Sequence, residues 1–237
     1  MEYLQLEKEM YQVMTAICNS NIPISFKGAM VLHAFLYESG IDDQAVRPTR
    51  DIDANWLSDV PPTMEEIQKS LQRTLDENDI HLTVKAFRDY GNGRSAGFEF
   101  CDPKRNTAIF SMDMDINRPE AGTRIYEVGD FKFRGIIVEQ ILADKILVIS
   151  TDKVFRRIKD VIDLYYLSKC FQMEPEKIKE VMRETGRLPS SFDSFLNRKV
   201  DLEHAFKKFR FGDNIQKPDF NDVYVTVAKY IAEFIID

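Results

Sequence analysis

Cysteine is scarce: Cys18, Cys101 and Cys170 are the only three in 237 residues. They lie far apart, with no Cys-x-x-Cys spacing. That excludes a disulfide framework and a thiolate zinc site, and it predicts reduced, buried thiols in a cytoplasmic protein. No run approaches the ~18 apolar residues that a membrane span needs, so no membrane partner is expected. Residues 1–10 carry acidic side chains and no basic stretch ahead of an apolar one, which is not the pattern of a secretory leader. The G-x-x-x-x-G-K-[ST] phosphate loop is missing, as are internal repeats and low-complexity tracts. With 44% hydrophobic and 30% charged residues, the chain is an ordinary globular one, long enough for one large domain or two small ones. The net charge of −7 is uneven: residues 137–237 hold 17 basic and 17 acidic residues, so the whole excess lies in the first 136. An acidic first half suits cation binding, and a polyanion is better placed on the second half.

Periodicity divides the chain the same way. Residues 2–18 space Leu4, Leu6, Met10, Val13, Met14 and Ile17 as a helix does. Ile22–Phe26 reads as a buried strand. Lys27-Gly28-Ala29 then turns into a helix over Met30–Glu38. A polar connection over 40–49 leads to a strand at Ile52–Trp56. Thr63 and Glu66 form a capping box for a helix reaching Asn78. Strands are predicted at His81–Arg88, Arg94–Cys101 and Asn106–Asn117. The first two join through Tyr90-Gly91-Asn92-Gly93, and a shorter hairpin follows around Gly129-Asp130. From Val138 the pattern is helical over 138–150, 153–169, 174–185, 201–210 and 219–236. The expectation is an α+β fold in two domains, 1–137 and 138–237.

The chemistry concentrates in Arg47-Pro48-Thr49-Arg50-Asp51-Ile52-Asp53. On a strand, i and i+2 share a face, so Asp51 and Asp53 point one way and Ile52 the other. Two like charges side by side call for a cation, and Mg²⁺ favours one or two carboxylates plus substrate phosphates. Asp113 and Asp115 repeat the spacing on another strand and offer a third carboxylate for phosphoryl transfer. Gly28 at a strand-to-helix turn lets a phosphate approach the backbone. In the helical half Lys145 lies among Ile141, Leu142, Ile146 and Ile149, and Asp160 and Asp163 share a helix face. With ~1.5 Å rise per residue, Lys145 falls roughly 8 Å before its helix end and Asp160 roughly 10 Å into the next. A Lys145–Asp160 contact is therefore permitted, with Asp163 a turn farther on. Each motif also has a plainer reading, a solvated strand or helix face.

Four stretches taken in order resemble the AbiEii/AbiGii toxin family of nucleotidyltransferases. They are Lys27-Gly28-Ala29 before a helix, Thr49-Arg50-Asp51-Ile52-Asp53, Met114-Asp115-Ile116-Asn117, and Lys145 followed by Lys159-Asp160-x-x-Asp163-Leu164-Tyr165. The resemblance spans roughly residues 20–170. It implies a polymerase-β-like nucleotidyltransferase domain followed by a C-terminal helical bundle, with Mg²⁺ as cofactor and an NTP as co-substrate. It implies metal carboxylates at Asp51, Asp53 and Asp115, a phosphate contact at Lys145 and a helical aspartate at Asp160. NTP contacts are expected from Lys27, Gly28, Ala29, Thr49 and Arg50. The second residue of the glycine motif is often Gly or Ser in this family; Ala29 has no hydroxyl, so only backbone contacts remain to it.

Two classes of function follow. One is an active nucleotidyltransferase with an RNA acceptor, the toxin of a toxin–antitoxin or phage-defence (abortive infection) pair with a cognate antitoxin protein. Within that class a small-molecule, antibiotic-type transferase is the alternative. The other class is a non-catalytic member that binds nucleotide or a partner.

Overall fold

The computed structural model describes residues 2–41, 47–90, 93–211 and 216–235. The Gly91-Asn92 tip of the expected hairpin, residues 42–46 of the polar connection and the Leu4 side chain lie outside what it describes. The chain divides into two compact units. The first comprises Met1–Glu38, Pro48–Arg118 and Thr123–Ile136, and the second Ser39–Arg47, Pro119–Gly122 and Ile137–Asp237.

The described part of the first unit is a seven-stranded mixed sheet with three helices. In chain order it runs α1 (Glu2–Asn19), β1 (Ile24–Lys27), α2 (Gly28–Glu38), β2 (Asp51–Trp56), α3 (Met64–Glu77), β3 (Thr83–Tyr90), β4 (Ser95–Asp102), β5 (Thr107–Ile116), β6 (Thr123–Val128) and β7 (Phe131–Ile136). The strands lie in the order β3-β4-β5-β2-β1-β7-β6. β2 pairs parallel with β5 and antiparallel with β1, and β1 pairs parallel with β7. The consecutive pairs β3/β4, β4/β5 and β6/β7 are antiparallel. Met10, Val13, Met14 and Ile17 of α1 are buried, as their spacing requires. Along β5, Phe110, Met112 and Met114 are buried and alternate with Ser111, Asp113 and Asp115. Phe100 of β4 stacks on Phe110 with ring centroids 4.7 Å apart. Each such ring contributes about 1.5–3 kcal/mol by leaving water, so the apolar side fixes the strand register that orders the opposite side. The capping box of α3 forms as expected: the Glu66 amide donates to Thr63 Oγ1 at 3.2 Å, and the Thr63 amide donates to Glu66 Oε2 at 2.7 Å.

The described part of the second unit is helical: α4 (Val138–Ile149), α5 (Ile158–Cys170), α6 (Pro175–Glu184), α7 (Asp193–Asn197), α8 (Lys199–Lys208) and α9 (Phe220–Tyr230). α4 packs against α5 and α6, and α5 against α9. α4 buries nine of its residues, among them Ile141, Leu142, Ile146 and Ile149. It is apolar nearly all round, the signature of a core helix.

Several helix boundaries differ from expectation. The predicted helix over 153–169 is a 3-10 turn, Val154–Arg157, followed by α5. The helix predicted over 219–236 ends at Tyr230, with a 3-10 turn at Ala232–Phe234. The short α7 was not anticipated; five residues are too few to show a period. α2 begins at Gly28, two residues early, because Gly28 turns directly out of β1 with φ +69°.

Candidate active site

Pairing across five strands builds the site in the first unit. The register sets Lys27 of β1 opposite Asp53 of β2, Asp53 beside Asp113 of β5, and Asp113 opposite Gly97 of β4. Arg88 of β3 is opposite Gly97. One row across the sheet therefore reads cation, two carboxylates, glycine, cation. The next row holds Asn55 beside Asp115 and Ser95, and the row on the other side holds Asp51 beside Ser111. Period-2 alternation makes these rows share a face. An open cavity of about 410 Å³ is lined by Lys27, Asp53, Ser95, Ala96, Asp113, Asp115 and Arg118.

Gly28 lies against this row. A Cβ there would fall 2.0 Å from Asp53 Oδ2 and 2.8 Å from its Cγ. The left-handed backbone and the missing side chain are thus both required, one to turn the chain and the other to admit Asp53. Ala29 is buried in the first turn of α2. Thr49 is buried, and its hydroxyl accepts from the Asp51 amide at 3.4 Å, shaping the entry to β2. Arg50 is exposed, and its carbonyl accepts from the Ser111 amide at 3.1 Å. Asp51 is exposed and accepts a short hydrogen bond from the Ser111 hydroxyl.

The two β5 carboxylates differ in their surroundings. Asp115 is held by two cations, the Lys27 ammonium and the Arg118 guanidinium, the latter at 2.7 Å. Burial pushes its carboxyl up, but those cations outweigh burial and hold it below the usual range. Asp113 lies in the row with Asp53. Burial and then the Asp51 charge push it up, only partly offset by Arg88 and Lys27. Arg118 was not singled out from the sequence. Its backbone is fixed by Asn55, whose side chain donates to the Arg118 carbonyl at 2.9 Å and accepts from its amide at 3.0 Å. Asn55 continues the i, i+2 series of Asp51 and Asp53, and that was the available signal.

Among the described residues, no three carboxylate, imidazole or thiol groups are gathered closely enough to hold a metal ion unaided. The donor set nonetheless fits Mg²⁺: hard carboxylate oxygens from neighbouring strands, with the Asp113 proton affinity raised by burial and then by the Asp51 charge.

In the second unit Lys145 is buried. Its ammonium donates to Asp163 Oδ2 at 2.6 Å and to Asp160 Oδ1 at 3.3 Å. Both contacts form, and the shorter is to Asp163, which the helix arithmetic had put a turn too far. Arg47 grips Asp163 from the other side, Nε to Oδ1 at 3.0 Å and Nη2 to Oδ2 at 3.2 Å. Arg157 Nε lies 2.9 Å from Asp160 Oδ2. Burial pushes the Asp163 carboxyl up, but Lys145 and Arg47 overcome it and hold it far below the ordinary carboxylate range.

A family model described as "Nucleotidyl transferase AbiEii toxin, Type IV TA system" matches residues 15–224. The chain belongs to this family. It is accordingly a nucleotidyltransferase of a toxin–antitoxin family. Among solved structures it is similar to MenT4, a nucleotidyltransferase toxin from Mycobacterium tuberculosis H37Rv. The identity is 13%, the match covers 100% of this chain and 85% of the other, and the TM-score is 0.55. That likeness extends the fold assignment over the whole AbiEii chain. A weaker likeness, TM-score 0.44 at 15% identity, links 88% of this chain to all of the antibiotic-resistance factor ANT(2'')-Ia. Another, TM-score 0.45 at 14% identity, links 85% of this chain to 92% of a nucleotidyltransferase-like protein from Paracoccidioides brasiliensis. No curated protein matches the sequence. No helix among the described residues is long and apolar enough to cross a membrane.

Proposed function

We propose that this AbiEii-family protein transfers a nucleotide from an NTP to an RNA acceptor with Mg²⁺, as the cytoplasmic toxin of a toxin–antitoxin or abortive-infection pair restrained by a cognate antitoxin protein. In this reading residues 1–137 are a polymerase-β-like nucleotidyltransferase domain and 138–237 a helical bundle. The observation that carries it is the carboxylate row packed against Gly28, with Asp53 occupying the space a Cβ would take. That places an open backbone turn beside paired acids, the combination a metal-bound triphosphate needs.

Asp51 and Asp53 would hold Mg²⁺ together with a β5 carboxylate. The family resemblance points to Asp115, and the strand register favours Asp113. The bound metal would neutralise the triphosphate and polarise its phosphorus toward attack. The chain's own groups do the rest. Gly28 and Ala29 offer backbone amides to phosphate, with Thr49 and Arg50 shaping the entry to β2. Lys27 and Arg118 hold Asp115 in place and ionised, the form in which it would bind the metal or take the acceptor hydroxyl's proton. Lys145, ion-paired with Asp160 and Asp163, would supply a cation for phosphate, the role the family resemblance assigns it.

The test is incubation with each labelled NTP and total cellular RNA, with and without a chelator. Label entering RNA only with Mg²⁺ supports the proposal, and label on a small-molecule acceptor selects the antibiotic-type alternative. Mg²⁺-dependent NTP binding without transfer to any acceptor selects a non-catalytic member.

A further inference from the structure

We infer that Phe87 is a stacking platform for a nucleobase of the acceptor RNA, an inference that rests on the reading of the protein as a transferase acting on RNA. Phe87 is 41% exposed. Tyr37 is the other exposed large aromatic side chain among the described residues, and it has a hydroxyl to keep in water. Phe87 has no polar atom at all.

The pairing of β3 with β4 shows how the ring comes to face outward. A bulge between Ala86 and Arg88 sets Phe87 and Arg88 together against one residue, Gly97. Ala86, just before the bulge, pairs with Phe98, whose ring is fully buried. Gly97 pairs with Asp113 of β5, so a Cβ on Gly97 would rise on the carboxylate face. It would meet Phe87 Cε1 at 2.7 Å, Phe87 Cζ at 2.9 Å and Arg88 Cβ at 3.4 Å. The ring therefore lies on the carboxylate side, in space that opens because position 97 is glycine. The Arg88 guanidinium is 5.1 Å from the ring centroid. Bulges re-aim side chains beside active sites. An aromatic face with a cation next to it suits single-stranded RNA, whose base stacks on the ring while its phosphate meets the guanidinium.

Position along the row selects the acceptor as the occupant. Phosphoryl transfer keeps the attacking and leaving oxygens roughly in line. With the outer phosphates at the Gly28 turn, the leaving group departs at the β1 end of the row. The acceptor hydroxyl then enters from the β4 end, where Phe87 stands. Over Gly97 the ring is one strand spacing from Asp113 and two from Asp53, ~5 and ~10 Å. A ribose bridges such a distance, so a base on the ring brings its own sugar hydroxyl to the carboxylates.

The test measures initial rates of labelled-NTP transfer to total cellular RNA, titrating RNA and NTP in turn. F87L keeps apolar bulk and loses the aromatic face, whereas F87W keeps the face. F87L is expected to raise the KM for RNA about tenfold, ~1.4 kcal/mol, with the KM for NTP unchanged, and F87W to match the unaltered protein. Circular dichroism checks that each variant is folded at the assay temperature. F87A stands in should F87L melt, and F87Y should F87W melt, with the same expectations. An unchanged KM for RNA in F87L, the result for a ring that meets a partner protein instead, overturns the inference and leaves the transferase reading standing. So does a rise in the KM for NTP alone, which gives the ring to the NTP base, or an F87W as impaired as F87L, which reports lost packing. No label in RNA with the unaltered protein overturns the RNA reading and the inference with it.

Discussion

Replacing Asp163 by Asn keeps shape and removes charge from the centre of the buried network. The Asp163 side chain is 3% exposed, with Lys145 at 8% and Arg47 at 10%. At 2.6 Å and an effective dielectric of ~20, the Lys145–Asp163 attraction is roughly 6 kcal/mol gross. Most of that offsets the cost of drying both charges, so the pair adds little net stability. Breaking it is another matter. D163N leaves the Arg47 fork on an amide and Lys145 with Asp160 as its remaining carboxylate, and removing one partner from a buried ion pair costs about 3–5 kcal/mol. The exposed Lys69–Glu65 pair, about three-quarters exposed on each side, sets the contrast: solvent screens it, and removing it should leave stability nearly unchanged. Urea unfolding followed by circular dichroism at a helical wavelength reads the loss. The difference should also depend on pH in one direction. The folded carboxyl titrates far below the unfolded one, so its contribution is fully present above the unfolded value of ~3.9. It fades as pH falls below that and is lost as pH passes through the folded value. A D163N loss under ~1 kcal/mol at neutral pH, or a gap between the two proteins that widens on acidification from pH 4, would refute the reasoning.

Asp51→Ala and Asp53→Ala are each expected to abolish nucleotide transfer while leaving the fold intact, a loss of several kcal/mol of transition-state stabilisation; near-normal transfer by either purified variant sinks the assignment. Gly28→Ala should cost ~1–2 kcal/mol for the left-handed backbone alone and displace the Asp53 carboxylate, so transfer falls further than the melting temperature explains; wild-type transfer by G28A contradicts this. D113N and D115N separate the two β5 carboxylates: a much larger drop in Mg²⁺-dependent transfer for D113N favours the register's choice, and for D115N the family's. Thr63→Ala removes the capping hydroxyl and should lower stability by ~1 kcal/mol with transfer unchanged, by thermal melt and labelled-NTP assay.

The strands and most helices were legible because their burial is one-sided. Phe110, Met112 and Met114 alternate with polar neighbours, and Met10, Val13, Met14 and Ile17 recur at helical spacing. Ends were less legible. The 3-10 turn at Val154–Arg157 has helix-like composition, and it packs against α4, α5, α7 and α8, contacts that no local period announces. The Gly28 turn was read as tight, but not that a carboxylate fills the space its side chain would take. The Lys145–Asp163 contact escaped because the arithmetic runs one straight helix from residue 153, whereas Val154–Arg157 is a 3-10 turn and α5 begins only at Ile158.

The carboxylates show where spacing stops being informative. Asp-x-Asp on β2 and Asp-x-Asp on β5 each declare that two acids share a face, and neither declares which acid meets which. Parallel pairing leaves several registers that keep every apolar residue buried, each shifted by two. The one adopted puts Asp53 beside Asp113, and it leaves Asp115 beside Asn55 within reach of Lys27 and Arg118. A register two residues along would exchange the two acids between these surroundings without changing either face. The difference between a carboxylate crowded by others and one ringed by cations is therefore set by β2/β5 pairing and by Asn55, which seats Arg118 through two backbone hydrogen bonds. Lys27 belongs to the same logic. It stands opposite Asp53 in register yet extends diagonally to Asp115, while the Asp53 carboxylate packs over Gly28.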